Sequence, residues 1–374
     1  MKKVLIILIL TLWFWGGYAS AQQYHDGREI DSTLASTSPN CGNRIFTTSK
    51  CFDMIASLQY FDKIKDVPRF YNLSTDSTFM SRLNYVNENA RASKLCNFYS
   101  IFGGNKNSTD SCVHFFNNML LNDSITSSGL DWVRNIVGLQ TEIAYCISTL
   151  NKAGYSDYWD NEIVPILQMH IDSYPVSAEI LNDIHKAMAE FSGPEGLSET
   201  HSNIYVLNID NAFNLSDESF CCTPLLLDKE MEKQFRLDFL KVYIHENLHR
   251  LKISDTLMAK LEELKADDFY KENEAIASSH NEGLNEAFIV AAEVYISNKI
   301  GRRDMKSVYD EFVNYVDGSL VLAPIIFVHL SGKNSMESLN DFILRLFDDG
   351  TISVGSVKTE YEKAMTHIKS LLTV

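Results

Sequence analysis

Two histidines four residues apart, with a glutamate between them, stand in the segment 242–250. They are His245 and His249 with Glu246, in the pattern His-Glu-x-x-His. If the segment is helical, both imidazoles lie on one face of the helix, one turn apart. Two imidazoles in that position can bind one Zn2+ ion, with the glutamate beside the open coordination position. The pattern therefore predicts a zinc site whose catalytic base is Glu246.

The residues before this motif favour a helix. Apolar side chains recur at helical spacing from Phe235 to Leu248. We expect the helix to run from Asp228 to Leu251, with Asp228 as its N-cap. The alternative interpretation is a pair of solvated histidines beside an unrelated glutamate.

A catalytic zinc site needs a third protein ligand, commonly a carboxylate. Glu282 and Glu286 are the candidates, because both lie in a long helix that the sequence predicts from about 279 to 300. They are one turn apart, so with Glu282 as the ligand, Glu286 could hydrogen-bond the far nitrogen of a ligand histidine. With Glu286 as the ligand, the residue one turn on would be Val290, which cannot do so. We therefore predict Glu282 as the ligand and Glu286 as its support.

Two neighbouring features bear on this choice. Gly283 has no side chain, which would let another helix or a substrate come close to the site. Ser279-x-x-Glu282 also matches a capping box, in which Glu282 would only reach back to the start of its own helix. Glu286 as the third ligand, or as a solvated helix carboxylate, stays open at this point.

The two motifs together resemble the gluzincin zinc metallopeptidases. The segment Asn281-Glu282-Gly283-Leu284-Asn285-Glu286 is similar to the corresponding motif of the aminopeptidases of family M1 and of the bacterial collagenases. The resemblance implies that the glutamate before the glycine is the third ligand and that the second glutamate supports the site. It covers only residues 210–300. The 32 residues between His249 and Glu282 exceed the spacing in the aminopeptidases, and no Gly-x-Met-Glu-Asn segment precedes the motif.

The pattern of elements predicts an α+β, predominantly helical chain. We expect a zincin-like catalytic core with a small sheet, an active-site helix and a helical C-terminal subdomain. Strands are predicted at 203–209 and, more weakly, at 220–227. The helix-breaking residues of 192–196 predict a boundary there.

Four segments follow from this interpretation. Residues 1–21 have the basic start, short apolar run and small-x-small ending of a signal peptide. Residues 22–49 are polar and predict a flexible leader. Residues 50–195 predict an N-terminal helical subdomain, and 196–374 a zincin-like catalytic domain.

The signal-like start predicts export to the periplasm or the extracellular space. Its apolar run is too short for a membrane span, so no span is expected after cleavage; an uncleaved N-terminal anchor is the alternative. A net charge of −16 argues against nucleic acid and anionic membranes as partners. The expected partner is a peptide or protein substrate, and the oligomeric state is not fixed by the sequence.

Seven cysteines allow disulfides in an exported chain. Cys41 with Cys51 and Cys96 with Cys112 are the nearest pairs, although the sequence does not determine the connectivity. Cys221 and Cys222 are adjacent and lack the Cys-x-x-Cys spacing of metal sites, so we expect them in a strand or loop.

The chemistry predicted from these residues is hydrolysis of a peptide bond. Zinc lowers the pKa of its bound water, and Glu246 can take the water proton and later pass it to the leaving amine. An oxyanion donor is not identified among the downstream candidates, which are Tyr295, Tyr309, Tyr315 and His329. We expect an exported zinc metallopeptidase; the alternatives are a non-catalytic binding or scaffold protein of zincin fold and a zinc hydrolase of non-peptide amides or esters.

Overall fold

The structure is a computed structural model. It describes residues 46–174, 178–195, 197, 203–215, 219–228, 239–280 and 282–373. The predicted signal peptide 1–21 lies outside these residues, as does the leader up to residue 45. The described chain is α+β and predominantly helical, as predicted. Within the described ranges, no helix has the length and apolar character needed to span a bilayer.

The single sheet of the described chain has four short strands. They are β1 (Phe46–Thr47), β2 (Ile204–Val206), β3 (Ala212–Asn214) and β4 (Phe220–Cys222). Their spatial order is β1-β2-β4-β3, with β1, β2 and β4 mutually parallel and β3 antiparallel to β4.

Three details of this sheet differ from the sequence prediction. The strand predicted at 220–227 ends at Cys222, because Pro224 cannot donate to a ladder and begins a 3-10 turn over Pro224–Leu227. Strand β3 has no counterpart in the prediction. Residues 46–49 are predicted as part of the flexible leader, but they belong to the fold. Phe46 is buried in strand β1, and Ser49 is the N-cap of the first helix.

The described chain divides into two compact units. The first, here the sheet unit, contains residues 46–174, 203–215 and 219–228. The second, here the C-terminal unit, contains residues 179–197 and 239–373. This division does not follow the predicted boundary at 195/196: β2 and β4 pair with β1, so residues 203–228 belong with the N-terminal helices.

The sheet unit contains helices α1–α10. They are α1 Lys50–Ala56, α2 Tyr71–Thr75, α3 Ser77–Asn89, α4 Ala92–Phe102, α5 Thr109–Asn118, α6 Asp123–Thr126, α7 Asp131–Gly138, α8 Gln140–Lys152, α9 Tyr155–Tyr158 and α10 Val164–Ser173. A buried carboxylate links α1 to the sheet. Asp53 accepts hydrogen bonds from the Asn208 backbone N–H at 2.6 Å and the Trp159 indole N–H at 2.8 Å. Burial raises the pKa of Asp53 to about 7.

The C-terminal unit contains helices α11–α19. They are α11 Ala178–Ser192, α12 Phe239–Leu248, α13 Asp255–Leu264, α14 Asp268–Ser279, α15 Glu286–Lys299, α16 Met305–Asn314, α17 Leu322–His329, α18 Leu339–Asp348 and α19 Val357–Ser370. Helix α15 is central, because α12 and α17 pack against it. Its residues from Glu286 to Val294 are all buried.

One helix boundary in this unit matters for function. The long helix predicted from 279 to 300 begins at Glu286, seven residues later. Ser279 is instead the last residue of α14. Glu282 therefore lies in the connection between two helices, which removes the geometric basis for predicting it as a ligand.

Candidate metal centre

Helix α12 carries the two histidines of the sequence motif. It is apolar on most sides, with Phe239, Val242, Ile244 and Leu248 buried, so it is held by packing rather than by a solvated face. His249 follows the last residue of the helix, but its backbone N–H still donates to the carbonyl of His245 at 3.3 Å. This last turn keeps both imidazoles on one face, as predicted.

The two imidazoles and one carboxylate converge. The Nε2 atoms of His245 and His249 are 3.1 Å apart. The Glu286 carboxylate approaches both rings, with Oε1 3.2 Å from His245 Nε2 and Oε2 3.5 Å from His249 Nε2. These three residues form a largely buried group that could hold a metal ion.

The spacing of these atoms can be compared with a coordination sphere. Ligands 2.0–2.1 Å from a tetrahedral ion are about 3.3 Å from one another. The three measured separations lie between 3.1 and 3.5 Å. The donor set, two imidazole nitrogens and a carboxylate oxygen, is also one that divalent transition metals accept. The residues therefore fit a metal ion.

Glu286 is fixed at this position by burial and by a tyrosine. It is the first residue of α15 and is 1% exposed. The hydroxyl of Tyr315 donates to its Oε1 at 3.1 Å. Burial alone would raise the pKa of Glu286, but the two imidazoles and the Tyr315 hydroxyl hold it below its ordinary value. Glu286 is thus an ionised carboxylate, as a metal ligand must be.

The two histidines differ in their electrostatics. Burial by itself would lower the pKa of His245, but the neighbouring Glu286 carboxylate raises it above its ordinary value. His249 has a pKa lowered to about 4, first by burial and further by His245. At neutral pH His249 is therefore the uncharged form that can bind a metal; His245 must likewise be uncharged to act as a ligand.

Two further glutamates share this environment. Burial raises the pKa of Glu246 to about 7, and the Glu286 carboxylate adds to the increase. Burial likewise raises the pKa of Glu282 to about 10, with contributions from Glu286 and Glu246. In both cases burial is the main cause and nearby carboxylates add to it, so a cation at this site would lower both pKa values.

Glu282 lies beside the convergent group without belonging to it, because Glu286 is the carboxylate that meets both histidines. The Oε2 atom of Glu282 is buried and has no hydrogen-bond partner among the described residues. A cavity of about 30 Å³ lies next to it, lined by Gly283, Leu284 and the start of α17 among others. A cavity of that size holds about two water molecules.

The structure thus reverses the predicted roles of the two glutamates at the histidines. Glu286, the predicted support, contacts both histidines, and Glu282, the predicted third ligand, is not in the convergent group. The physical reason is the late start of α15, since the prediction puts Glu282 one turn before Glu286 on the same helix. Two signals mark the true start: Gly283 is a poor helix former and Asn285 a favoured N-cap.

For Gly283, the sequence predicts the close approach of a second helix or of a substrate. A Cβ atom added to it would come within 4 Å of only one atom among the described residues, Asn285 Oδ1 at 2.9 Å. No second helix approaches the glycine within that distance in the described chain.

Tyr315 is the downstream candidate that the structure brings to the site, where the sequence alone favours none of the four. It begins a 3-10 turn over Tyr315–Gly318 in which Val316 and Asp317 have positive φ angles of 51° and 54°. Such angles are unfavourable for a β-branched residue and are often found at functional sites. Asp317 Oδ2 in turn lies 3.0 Å from His280 Nε2, which links this turn to the end of α14. Tyr295, another candidate, packs against Phe327.

An ion network links the same helices nearby. Arg303 contacts Glu293 of α15 at 2.9 Å and Glu311 of α16 at 2.9 Å. Lys241 of α12 contacts Glu311 at 2.7 Å. The two basic groups hold the pKa of Glu311 at about 2, against the effect of burial. The network therefore fixes α12 relative to α15, the two helices that carry the candidate metal ligands.

Comparison of the chain with protein-family models, curated proteins and solved structures gives no match. The functional argument therefore depends on the site itself.

Proposed function

We propose that the protein is a zinc-dependent metallopeptidase that hydrolyses peptide bonds. The observation that carries the proposal is the convergence of His245, His249 and Glu286, with Glu246 on the same helix turn as the histidines. The resemblance of the two sequence motifs to gluzincin peptidases supports zinc over other metals. The signal-like residues 1–21 support an exported enzyme.

Each residue of the site has a defined task in this proposal. When bound, zinc supplies Lewis acidity, which polarises a carbonyl group and acidifies water. His245, His249 and Glu286 would hold the ion. Glu246 takes a proton from the attacking water and returns it to the leaving amine, and its pKa of about 7 suits both directions of transfer near neutral pH.

Tyr315 is the best placed donor for the developing oxyanion. Its hydroxyl already reaches Glu286, so it lies at the edge of the coordination sphere. Burial raises its pKa well above the ordinary value, and the Glu286 and Glu282 carboxylates add to this. The hydroxyl therefore stays protonated and able to donate a hydrogen bond near neutral pH.

The test pairs a metal assay with cleavage of a peptide library by the wild-type protein and Glu246→Gln. We expect about one zinc per chain in both proteins, cleavage by the wild type, and a loss of about 10²–10⁴-fold in kcat for the variant. A chelator should stop cleavage and added zinc should restore it. Glu263→Gln is the matched control, because its carboxylate lies on the surface, 69% exposed and paired with Lys260.

Three outcomes would contradict the proposal. A wild-type protein that binds no metal removes the site. Bound metal without cleavage of any peptide supports a binding protein of zincin fold. Cleavage confined to small amide or ester substrates supports a different zinc hydrolase.

A further inference from the structure

Cys51 lies in the first turn of α1 and is held against the loop before α5. Its backbone N–H donates to the carbonyl of Lys106 at 3.0 Å. Its thiol lies 3.2 Å from the carbonyl oxygens of both Asn105 and Ser108. Cys51 is therefore fixed by backbone and side chain to the segment that leads into α5.

Cys112, in α5, shares one of these acceptors. Its backbone N–H donates to the same Ser108 carbonyl at 3.0 Å. The Cys51 thiol and the Cys112 backbone N–H therefore meet at one carbonyl oxygen, which places the two cysteines side by side. Both are free thiols and 0% exposed.

The other described cysteines have different surroundings. Cys96 directs its thiol to the Phe52 carbonyl at 3.7 Å. Cys221 and Cys222 are buried in β4, as the sequence predicted for a strand or loop. Of the pairs considered from sequence, Cys96 and Cys112 are both free thiols in this structure, and Cys41 lies outside the described residues. Among the described residues, the convergent metal-binding group contains no cysteine.

We propose that Cys51 and Cys112 form a disulfide that joins α1 to α5. The oxidant is a disulfide, such as oxidised glutathione. One of the two cysteine thiolates attacks one sulfur of the oxidant and expels one thiolate; the other cysteine thiolate then attacks the sulfur of the first cysteine and expels the second thiolate of the oxidant. The two protons lost by the cysteines end on the two released thiols, so two electrons pass from the protein to the oxidant.

Burial decides when the bond can form. Both residues are 0% exposed in the folded unit. The bond therefore forms before the unit is fully folded, when either thiolate can make the first attack, and it is then protected from reductants.

The experiment uses the full chain, refolded with oxidised and reduced glutathione. Peptide mapping without reduction should find a Cys51–Cys112 linked peptide. Alkylation in denaturant should leave both cysteines unmodified until a reductant is added, whereas dithiothreitol without denaturant should not expose them. A linked peptide of Cys41 with Cys51 or of Cys96 with Cys112, or alkylation of all seven cysteines without reduction, would overturn the proposal.

Variants supply a second measurement. Cys51→Ser and Cys112→Ser should each lower Tm by about 5–10 °C in the oxidised protein, and the double variant should not lower it further. After reduction, wild type and variants should differ much less. Cys146→Ser is the control and should retain the link. If a variant does not fold, the Tm of the wild type before and after reduction in denaturant gives the same comparison, and an unchanged Tm would count against the disulfide.

Discussion

Two buried groups of charged residues in the C-terminal unit differ in how their carboxylates are compensated. In the ion network, Arg303 contacts Glu293 and Glu311, Lys241 also contacts Glu311, and the pKa of Glu311 falls to about 2. In the candidate metal centre, two imidazoles and a tyrosine hydroxyl lower the pKa of Glu286, but burial raises the pKa of Glu246 to about 7 and that of the neighbouring Glu282 to about 10. The chain neutralises the first group with its own cations.

This difference indicates which group needs a cation that the chain itself does not supply. A buried carboxylate is stable only if a cation or hydrogen bonds compensate its lost hydration. Each group has one buried carboxylate on α15, Glu286 in the metal centre and Glu293 in the network, and both are 1% exposed, so their different character does not come from different depths in the unit. The comparison therefore supports a cation at the histidines and a purely structural role for the network.

The largest expected effect concerns the third ligand. Glu286→Gln should weaken zinc binding by more than about 100-fold, beyond the range typical of groups that only support a ligand. Glu282→Gln should weaken it by less than about 10-fold, because Glu282 lies outside the convergent group. Competition with a chromophoric chelator measures both affinities. The reverse order would return the ligand role to Glu282, as the gluzincin resemblance implies.

The next effect tests the ion network. Arg303→Met leaves Glu293 and Glu311 buried without their guanidinium, which should cost about 3–5 kcal/mol of unfolding free energy. Arg345→Met removes an ion pair with Glu337 in which the arginine is 47% exposed, and should cost about 0–1 kcal/mol. Denaturant unfolding followed by circular dichroism measures the difference. If the two variants lost equal amounts of unfolding free energy, Arg303 would not be neutralising buried carboxylates in the network.

The sequence predicts the core of the site because its geometry is local. His245, Glu246 and His249 lie within one helical turn, and a single helix fixes their relation. The third ligand depends on where another helix begins. Ser279 with Glu282 mimics a capping box and so favours a start at residue 279, whereas the helix begins at Glu286.

The contacts of Tyr315 and the ion network could not be predicted for a related reason. Tyr315 reaches Glu286 from 29 residues away, across a turn with two positive φ angles at non-glycine residues. No spacing rule predicts such a contact. Strand β1 could not be predicted because it also depends on a contact that is distant in sequence. Two residues are too few to show the alternation of a strand, and Phe46–Thr47 is a strand only because β2 pairs with it. The predominantly helical α+β class, in contrast, follows from helical periodicity that many segments display.

A smaller effect is expected at Tyr315. Tyr315→Phe removes the hydroxyl that donates to Glu286 and keeps the ring, so zinc affinity should fall by about 10-fold. If the hydroxyl also stabilises the oxyanion, kcat should fall by about 10²-fold or more with zinc saturating. Tyr295→Phe is the control, because Tyr295 packs against Phe191 and Phe327. A change in zinc affinity without a change in kcat would limit Tyr315 to supporting the ligand.

The smallest effect is the dependence of stability on acid. Folding lowers the pKa of Glu311 from its ordinary value of 4.5 to about 2. A lowered folded pKa gives stability that is present above pH 4.5 and is lost as the pH falls towards 2. In this window each proton taken up on unfolding contributes a slope of about 1.4 kcal/mol per pH unit. Glu311→Gln should reduce the slope by up to that amount, and Glu263→Gln should leave it unchanged. An unaltered slope in Glu311→Gln would show that Lys241 and Arg303 do not hold this carboxylate ionised, and the contrast between the two charged groups would fail.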